Sequence, residues 1–261
     1  MSAGWRKRRM HHLFGVDGRA VMVAMDHARG GVAPGLERPR TVIDQVVAGG
    51  ADAVMTTIGT AREAAASVGG SGLILALDSE GPIADYGVEQ ALRFGADAVE
   101  LKVFPGAEDE TRLADLRRLA ARCDEWGLPL LAEPIPISFR ATHAHTVANV
   151  ADAARCAAEA GADLVKAHYV GEVEEYRERV VGACYAPLLI LGGPASDEPR
   201  TALQLAADAV AAGARGVVFG RHVFTAPRPD RMVAALVAIV HGGADVAVAA
   251  RQLSVPVAVG G

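Results

Sequence analysis

The chain has 261 residues, a net charge of −5 and a pI near 5.9, and 51% of its residues are hydrophobic. That is enough for one large domain with a substantial core, and the acidic balance argues against nucleic acid as a partner. No apolar run approaches the roughly 18 residues of a membrane span, and three cysteines at no metal-ligand spacing (Cys123, Cys156, Cys184) read as reduced core thiols of a cytoplasmic protein.

The first feature in chain order is a basic run, Trp5-Arg-Lys-Arg-Arg-Met-His-His12. The segment after it is too short and too polar for the apolar part of a signal peptide, so residues 1–12 are expected to form a solvated basic tail. Eight short apolar runs come next, at 20–25, 52–57, 73–77, 97–103, 129–133, 163–167, 187–191 and 216–219. Helical patterns lie between them, as at 108–126 and 146–160. A small phrase recurs at their junctions: Ala-Gly-Gly-Ala-Asp-Ala-Val at 48–54, Phe-Gly-Ala-Asp-Ala-Val at 94–99, Ala-Gly-Ala-Asp-Leu-Val at 160–165 and Ala-Gly-Ala-Arg-Gly-Val-Val at 212–218. It reads as a helix C-cap glycine, a tight loop and a buried parallel strand. Strands alternating with helices imply right-handed βαβ units. Eight of them, with no dinucleotide-binding glycine pattern after the first, predict a single α/β domain over 13–252, a (β/α)8 TIM barrel, with a short tail at 253–261. An open doubly wound sheet is the competing arrangement.

In such barrels the chemistry sits at the C-terminal ends of the strands. Asp26 and His27 end the first strand, and Asp78 and Glu80 the third. Lys102 lies near the end of the fourth, Glu133 ends the fifth and Lys166 lies near the end of the sixth. Charged groups are costly to bury singly, so their gathering predicts one shared polar pocket. The lysines carry the most information. Of 26 basic residues only Lys7, Lys102 and Lys166 are lysine, and the last two stand inside apolar strands. Arginine cannot give up its proton; a buried lysine can, and a neutral amine forms a Schiff base with a carbonyl. A lysine whose stem packs apolar surface while its head reaches water is the structural alternative. Gly192-Gly193 after the seventh strand and Gly220-Arg221 after the eighth fit a phosphate cradle of backbone N–H groups and one guanidinium. His143-x-His145 with Glu133 offers a weaker, metal-binding alternative.

Taken together, these residues resemble the class I Schiff-base aldolases of the DeoC/LacD superfamily, above all the archaeal-type fructose-bisphosphate aldolases. The resemblance spans about residues 13–240. It is carried by Phe14-Gly-Val-Asp-Gly-Arg-Ala-Val-Met-Val-Ala-Met-Asp-His-Ala28, Pro34-Gly-Leu-Glu37, Asp163-Leu-Val-Lys-Ala-His-Tyr-Val-Gly171, Gly192-Gly-Pro194 and Gly220-Arg221. It implies Lys166 as the Schiff-base lysine, Asp26 as the carboxylate beside it, and Gly192, Gly193, Gly220 and Arg221 as the phosphate site. One departure stands out. The archaeal enzymes carry a tyrosine just after the fifth strand, where this chain has Ala132-Glu-Pro-Ile-Pro136. That Glu-Pro pair is similar to the tagatose-bisphosphate and sulfofructose-phosphate aldolases, in which a glutamate serves there. Asp78-Ser-Glu-Gly81 and Leu101-Lys102 lean the same way.

The expectation is therefore a lyase of carbohydrate metabolism that makes or breaks a C–C bond in a phosphorylated ketose, with dihydroxyacetone phosphate as the ketone half. Lys166, Asp26, Glu133 and Lys102 are its catalytic candidates, and His27 and Asp78 join the phosphate residues as substrate contacts. No metal or cofactor, no membrane, a small sugar phosphate as partner and a homo-oligomer are expected. A Lys-dependent synthase or transaldolase of the aminohydroxy-heptulosonate type, or a thiolase acting on a phosphorylated diketone, are the alternatives.

Overall fold

The computed structural model describes residues 7–27, 31–77, 83–108, 111–193 and 198–254. Eight strands form the centre: β1 (Ala20–Ala24), β2 (Ala53–Thr56), β3 (Gly72–Ala76), β4 (Ala98–Val103), β5 (Leu130–Pro134), β6 (Leu164–Ala167), β7 (Leu188–Leu191) and β8 (Gly216–Phe219). Each pairs in parallel with the next and β8 pairs with β1, closing a (β/α)8 TIM barrel. Around it lie α1 (Pro39–Ala48), α2 (Ile58–Val68), α3 (Ile83–Arg93), α4 (Thr111–Trp126), α5 (Val147–Glu159), α6 (Val173–Tyr176), α7 (Pro199–Ala211), α8 (Arg221–Phe224), α9 (Pro229–Val240) and α10 (Val246–Ala249). Among the described residues no helix is long and apolar enough to cross a membrane.

The two-residue period of a strand divides every β-segment between two cores. Val21, Val23, Val54, Leu75, Val99, Leu101, Leu130 and Val165 face outward and pack beneath the helices. Ala20, Met22, Met55, Ile74, Ala98, Leu131, Leu164, Leu189 and Val218 face inward and fill the barrel. That alternation also decides where the ionisable residues point. Glu100 and Lys102 follow Ala98 on the inward face of β4, Glu133 follows Leu131, and Lys166 follows Leu164.

The recurring phrase acts at the barrel's bottom, where the strands begin. Its glycines Gly50, Gly95, Gly161 and Gly213 have φ of 95°, 70°, 104° and 100°, the left-handed conformation that ends a helix at little cost to glycine alone. Its aspartates reach back to the preceding strand. Backbone N–H groups of Val21, Leu73 and Leu130 donate to Asp52, Asp97 and Asp163 at 2.7, 3.0 and 2.9 Å. Each aspartate also meets a base: His241 2.9 Å from Asp52, His12 2.6 Å from Asp97, and Lys7 2.7 Å from Asp163.

Two of those bases belong to the basic run, so its described part, residues 7–12, is not the solvated tail that charge alone implied. A short 3-10 helix, Arg8–His12, runs across the bottom. Met10, Leu13 and Phe14 are buried in the barrel's inner core. A side-chain carbon on Gly72 would sit 2.5 Å from the His12 carbonyl oxygen, so this plug rests on bare backbone of β3. The apolar contribution of three residues, spaced irregularly among bases, outweighs the solvation of the run. Of the expected C-terminal tail only Leu253 and Ser254 are described, and Leu253 packs against the outer core.

Candidate active site

Four of the sequence candidates converge at the top of the barrel. Lys166 is 5% exposed, and its Nζ donates to Glu133 Oε2 at 2.8 Å. Glu133 and Lys102 are partners in the β4–β5 register, and Lys102 Nζ lies 3.7 Å from the same Oε2. Across the barrel, Lys102 Nζ donates to Asp26 Oδ2 at 2.7 Å. The four side chains thus form a continuous chain from β1 to β6: Asp26, Lys102, Glu133, Lys166. A fifth member is missing from the sequence candidates. Glu100 is fully buried, with Oε1 3.2 Å from Lys102 Nζ. The signal for it is nonetheless in the sequence: Glu100 precedes Lys102 by two residues in an apolar strand, hence on the same face.

The electrostatics follow from crowding opposite charges out of water. Burial pushes the Asp26 carboxyl up, but Lys102 and Lys166 more than offset this and hold it well below the usual carboxylate range. Burial likewise opposes ionisation of Glu133, and Lys166 and then Lys102 reverse the balance and lower it. Lys102 is the reciprocal case. Burial disfavours its charge, yet Glu100, Glu133 and Asp26 together raise it above the ordinary lysine range. Glu100 goes the other way, since burial dominates there and lifts it from 4.5 to about 7.

The glycine pairs after β7 and β8 come together as a second patch at the same end. The Arg221 guanidinium donates to the Gly193 carbonyl at 2.8 Å, and His222 Nε2 donates to the Gly192 carbonyl at 2.8 Å. Gly193 has φ of 66°, and Gly220 caps α8. His27 lies between the patch and the lysine chain. Its Nδ1 is 3.7 Å from Asp26 Oδ1, and its ring meets Phe224 of α8 edge-on at 5.1 Å. A side chain on Gly220 would collide with it, the added carbon lying 2.5 Å from His27 Cε1. Burial lowers the His27 pKa despite the opposing pull of Asp26, with Lys166, Arg221 and Lys102 adding to the fall. The imidazole thus spans the two patches with its charged form disfavoured. Asp78 lies outside the described residues.

His143-x-His145 does not assemble with Glu133 as a metal set. His145 Nε2 donates to the Ser138 carbonyl at 3.0 Å, and its ring stacks on His168, 4.3 Å between centroids. Burial, then the neighbouring His145, lowers His168 to about 4. No group of three His, Cys, Asp or Glu that could hold a metal occurs among the described residues. A cavity of about 920 Å³ opens at the bottom beside Lys7, Arg8, Asp124, Trp126, Asp163 and Tyr185. Its lysine has its charge fully paired, whereas at the top five ionisable side chains crowd together with fewer amines than carboxylates, so we place the candidate site there.

Known proteins share this architecture and much of this sequence. A family model described as DeoC/LacD family aldolase matches residues 13–226. A 2-amino-3,7-dideoxy-D-threo-hept-6-ulosonate synthase of Halobacterium salinarum is 38% identical over 243 residues, 88% of this chain and 89% of that one. An uncharacterized aldolase of Saccharolobus solfataricus is 32% identical, covering 94% and 97%. A 2-amino-4,5-dihydroxy-6-oxo-7-(phosphonooxy)heptanoate synthase of Streptomyces griseus is 40% identical over 59% of this chain and 56% of its own length. Among solved structures, an archaeal fructose 1,6-bisphosphate aldolase superposes with a TM-score of 0.79 at 26% identity, covering 90% of this chain and 98% of that one. Another, with its catalytic lysine covalently bound to the carbinolamine intermediate of the substrate, gives 0.78 at 25% identity and the same coverage.

Proposed function

The chain belongs to the DeoC/LacD family of class I, Schiff-base aldolases, which are lyases, and from that premise we propose that Lys166 carries an aldol reaction on a phosphorylated three-carbon ketone such as dihydroxyacetone phosphate. The observation that supports it most is the contact between Lys166 Nζ and Glu133 Oε2, 2.8 Å apart inside the barrel's mouth. It gives the amine a base at bonding distance.

Lys166 passes a proton to Glu133, and its lone pair adds to the ketone carbon. The second proton moves from nitrogen to the former carbonyl oxygen, leaving a neutral carbinolamine. Glu133 returns its proton to that oxygen, which departs as water, and a cationic iminium remains on Lys166. Glu133 then takes the proton from the adjacent carbon, and the C–H electrons collapse into an enamine. That carbon attacks an aldehyde, Glu133 protonates the new alkoxide, and water hydrolyses the iminium to free the ketose and the amine. Cleavage is the same path reversed. Lys102 and Asp26, paired at 2.7 Å, face the substrate hydroxyls, and His27 borders the phosphate side. Arg221 and the backbone of Gly192, Gly193 and Gly220 receive the phosphate.

The synthase reading is favoured by the 38% and 40% identical relatives. A 2-amino-4,5-dihydroxy-6-oxo-7-phosphonooxy-heptanoate skeleton has its ketone at the sixth carbon. An aldol bond there joins the fourth and fifth carbons, so its halves are a three-carbon keto phosphate and a four-carbon 2-amino acid aldehyde. The choice of aldehyde separates this reading from a sugar-bisphosphate aldolase, and both use the same imine.

Incubating the protein with dihydroxyacetone phosphate and either glyceraldehyde 3-phosphate or 2-amino-4-oxobutanoate, with product mass and NMR configuration as readouts, tests this. One aldehyde is expected to give a new ketose phosphate, and Lys166→Ala to give none. Arg221→Ala is expected to raise KM for the keto phosphate about 10- to 100-fold, the loss of one charge-assisted phosphate contact. Undiminished product from Lys166→Ala would refute the reading.

A further inference from the structure

The five ionisable side chains of the mouth do not balance when all are charged. Asp26, Glu100 and Glu133 supply three carboxylates, whereas Lys102 and Lys166 supply two amines. The surplus falls on Glu100. Lys166 is committed to Glu133 at 2.8 Å, and Lys102 lies closer to Asp26, at 2.7 Å, than to either Glu100 oxygen, at 3.2 and 3.4 Å. Glu100 is also the deepest of the five, with no exposed surface. The charged groups facing it are Asp26 from β1, Lys102 on its own β4, Glu133 from β5 and Lys166 from β6. The inward residues of β2, β3, β7 and β8 that it shares the barrel with, Met55, Ile74, Leu189 and Val218, are apolar.

We propose that Glu100 is protonated in the working enzyme and, as a neutral acid beneath Lys102, is the positioning residue that keeps the Lys102 ammonium raised between Asp26 and Glu133. The inference rests on the Lys166 reading above. Its physical basis is that a buried carboxylate whose one amine is shared with two other carboxylates takes up a proton in preference to remaining charged in an apolar barrel. Burial drives the Glu100 carboxyl up against the pull of Lys102, and Glu133 and Asp26 add to the rise. As pH climbs past neutrality Glu100 ionises, and the mouth gains a net negative charge. Lys102 is drawn down toward it and away from Asp26 and Glu133, which disturbs the carboxylate that serves Lys166. Imine formation therefore falls on the alkaline side, and Glu100 sets that limb.

The test is the initial rate of borohydride-trapped adduct with dihydroxyacetone phosphate, measured against pH in the wild type, Glu100→Gln and Glu100→Asp. The wild-type rate is expected to fall as pH passes through about 7. Glu100→Gln is expected to trap within about threefold of wild type below that point and to keep about tenfold more activity about one pH unit above it. Glu100→Asp retains an alkaline limb. An unchanged limb in Glu100→Gln, or a folded Glu100→Gln that traps nothing, overturns the proposal. Should Glu100→Gln fail to fold, infrared titration of wild type carrying 13C-labelled glutamate decides. A buried protonated carboxyl that ionises near neutrality supports the proposal, and glutamates all ionised at about pH 6 reject it. No adduct in the wild type at any pH would instead refute the Lys166 reading, with the infrared result still deciding the state of Glu100.

Discussion

The two ends of this barrel each bury lysine, and they treat it in opposite ways. At the bottom, Lys7 Nζ commits all three of its protons: to the Leu128 carbonyl at 3.1 Å, to Asp163 at 2.7 Å and to Asp124 at 2.7 Å. Burial opposes its charge, but the bonds to Asp124 and Asp163 raise its pKa overall. Asp52, Asp97 and Asp163 each bridge a backbone N–H and a base, so donors and acceptors match. At the mouth the count is uneven: three carboxylates share two amines, and one oxygen of Glu133 lies within 4 Å of both Lys166 and Lys102. A matched network fixes a structure, whereas an over-subscribed one leaves protons that can move. Burial of a lysine therefore does not identify a nucleophile. The number of partners competing for it, and the open end of the barrel, do.

Substitutions at the two ends separate these roles. Glu133→Gln removes the base while keeping the shape of the site, and kcat for aldol formation is expected to drop about 10²- to 10⁴-fold, the range of a general acid–base group. Steady-state kinetics on the ketose product checks this, and a drop of less than about threefold would move the proton shuttle to another residue. Lys7→Met acts at the other end. It takes the ammonium from Asp163, which keeps the Leu130 N–H, and unfolding free energy is expected to fall by about 1–2 kcal/mol, between the cost of an exposed and of a buried pair. The kcat per folded molecule should remain that of the wild type, as denaturant titration alongside activity would show. A Lys7→Met protein that is stable but slow would erase the distinction between the two ends.

Most of this architecture is legible in the sequence because its signals are local. Each apolar run lies within about two residues of a strand, since a parallel strand buried on both faces is written as a continuous stretch of Val, Leu, Ile and Ala. The glycine phrase marks the helix ends for a reason that needs no neighbour, a positive φ. Lys166, Asp26, Glu133 and Lys102 can be placed at one end of the barrel from strand order alone. Their pairing is not readable. Lys102 reaches Asp26 across the barrel's interior, 76 residues away in sequence, a contact set by closure of the sheet. Glu100 escapes a search confined to strand ends, although the two-residue period already sets it beneath Lys102. The bottom plug defeats the expectation of a tail because charge dominates the basic run, while the burial that places its described part, residues 7–12, comes from Met10, Leu13 and Phe14. The aspartates of the glycine phrase read as loop residues, and only the fold shows them tying neighbouring strands together.

The central claim concerns which amine bonds to carbon. Wild-type protein incubated with dihydroxyacetone phosphate, reduced with borohydride and digested for mass spectrometry measures it directly. The expected result is one reduced adduct, on the peptide that contains Lys166, with Lys102 and Lys7 unmodified. An adduct on Lys102 in place of Lys166 would contradict the account.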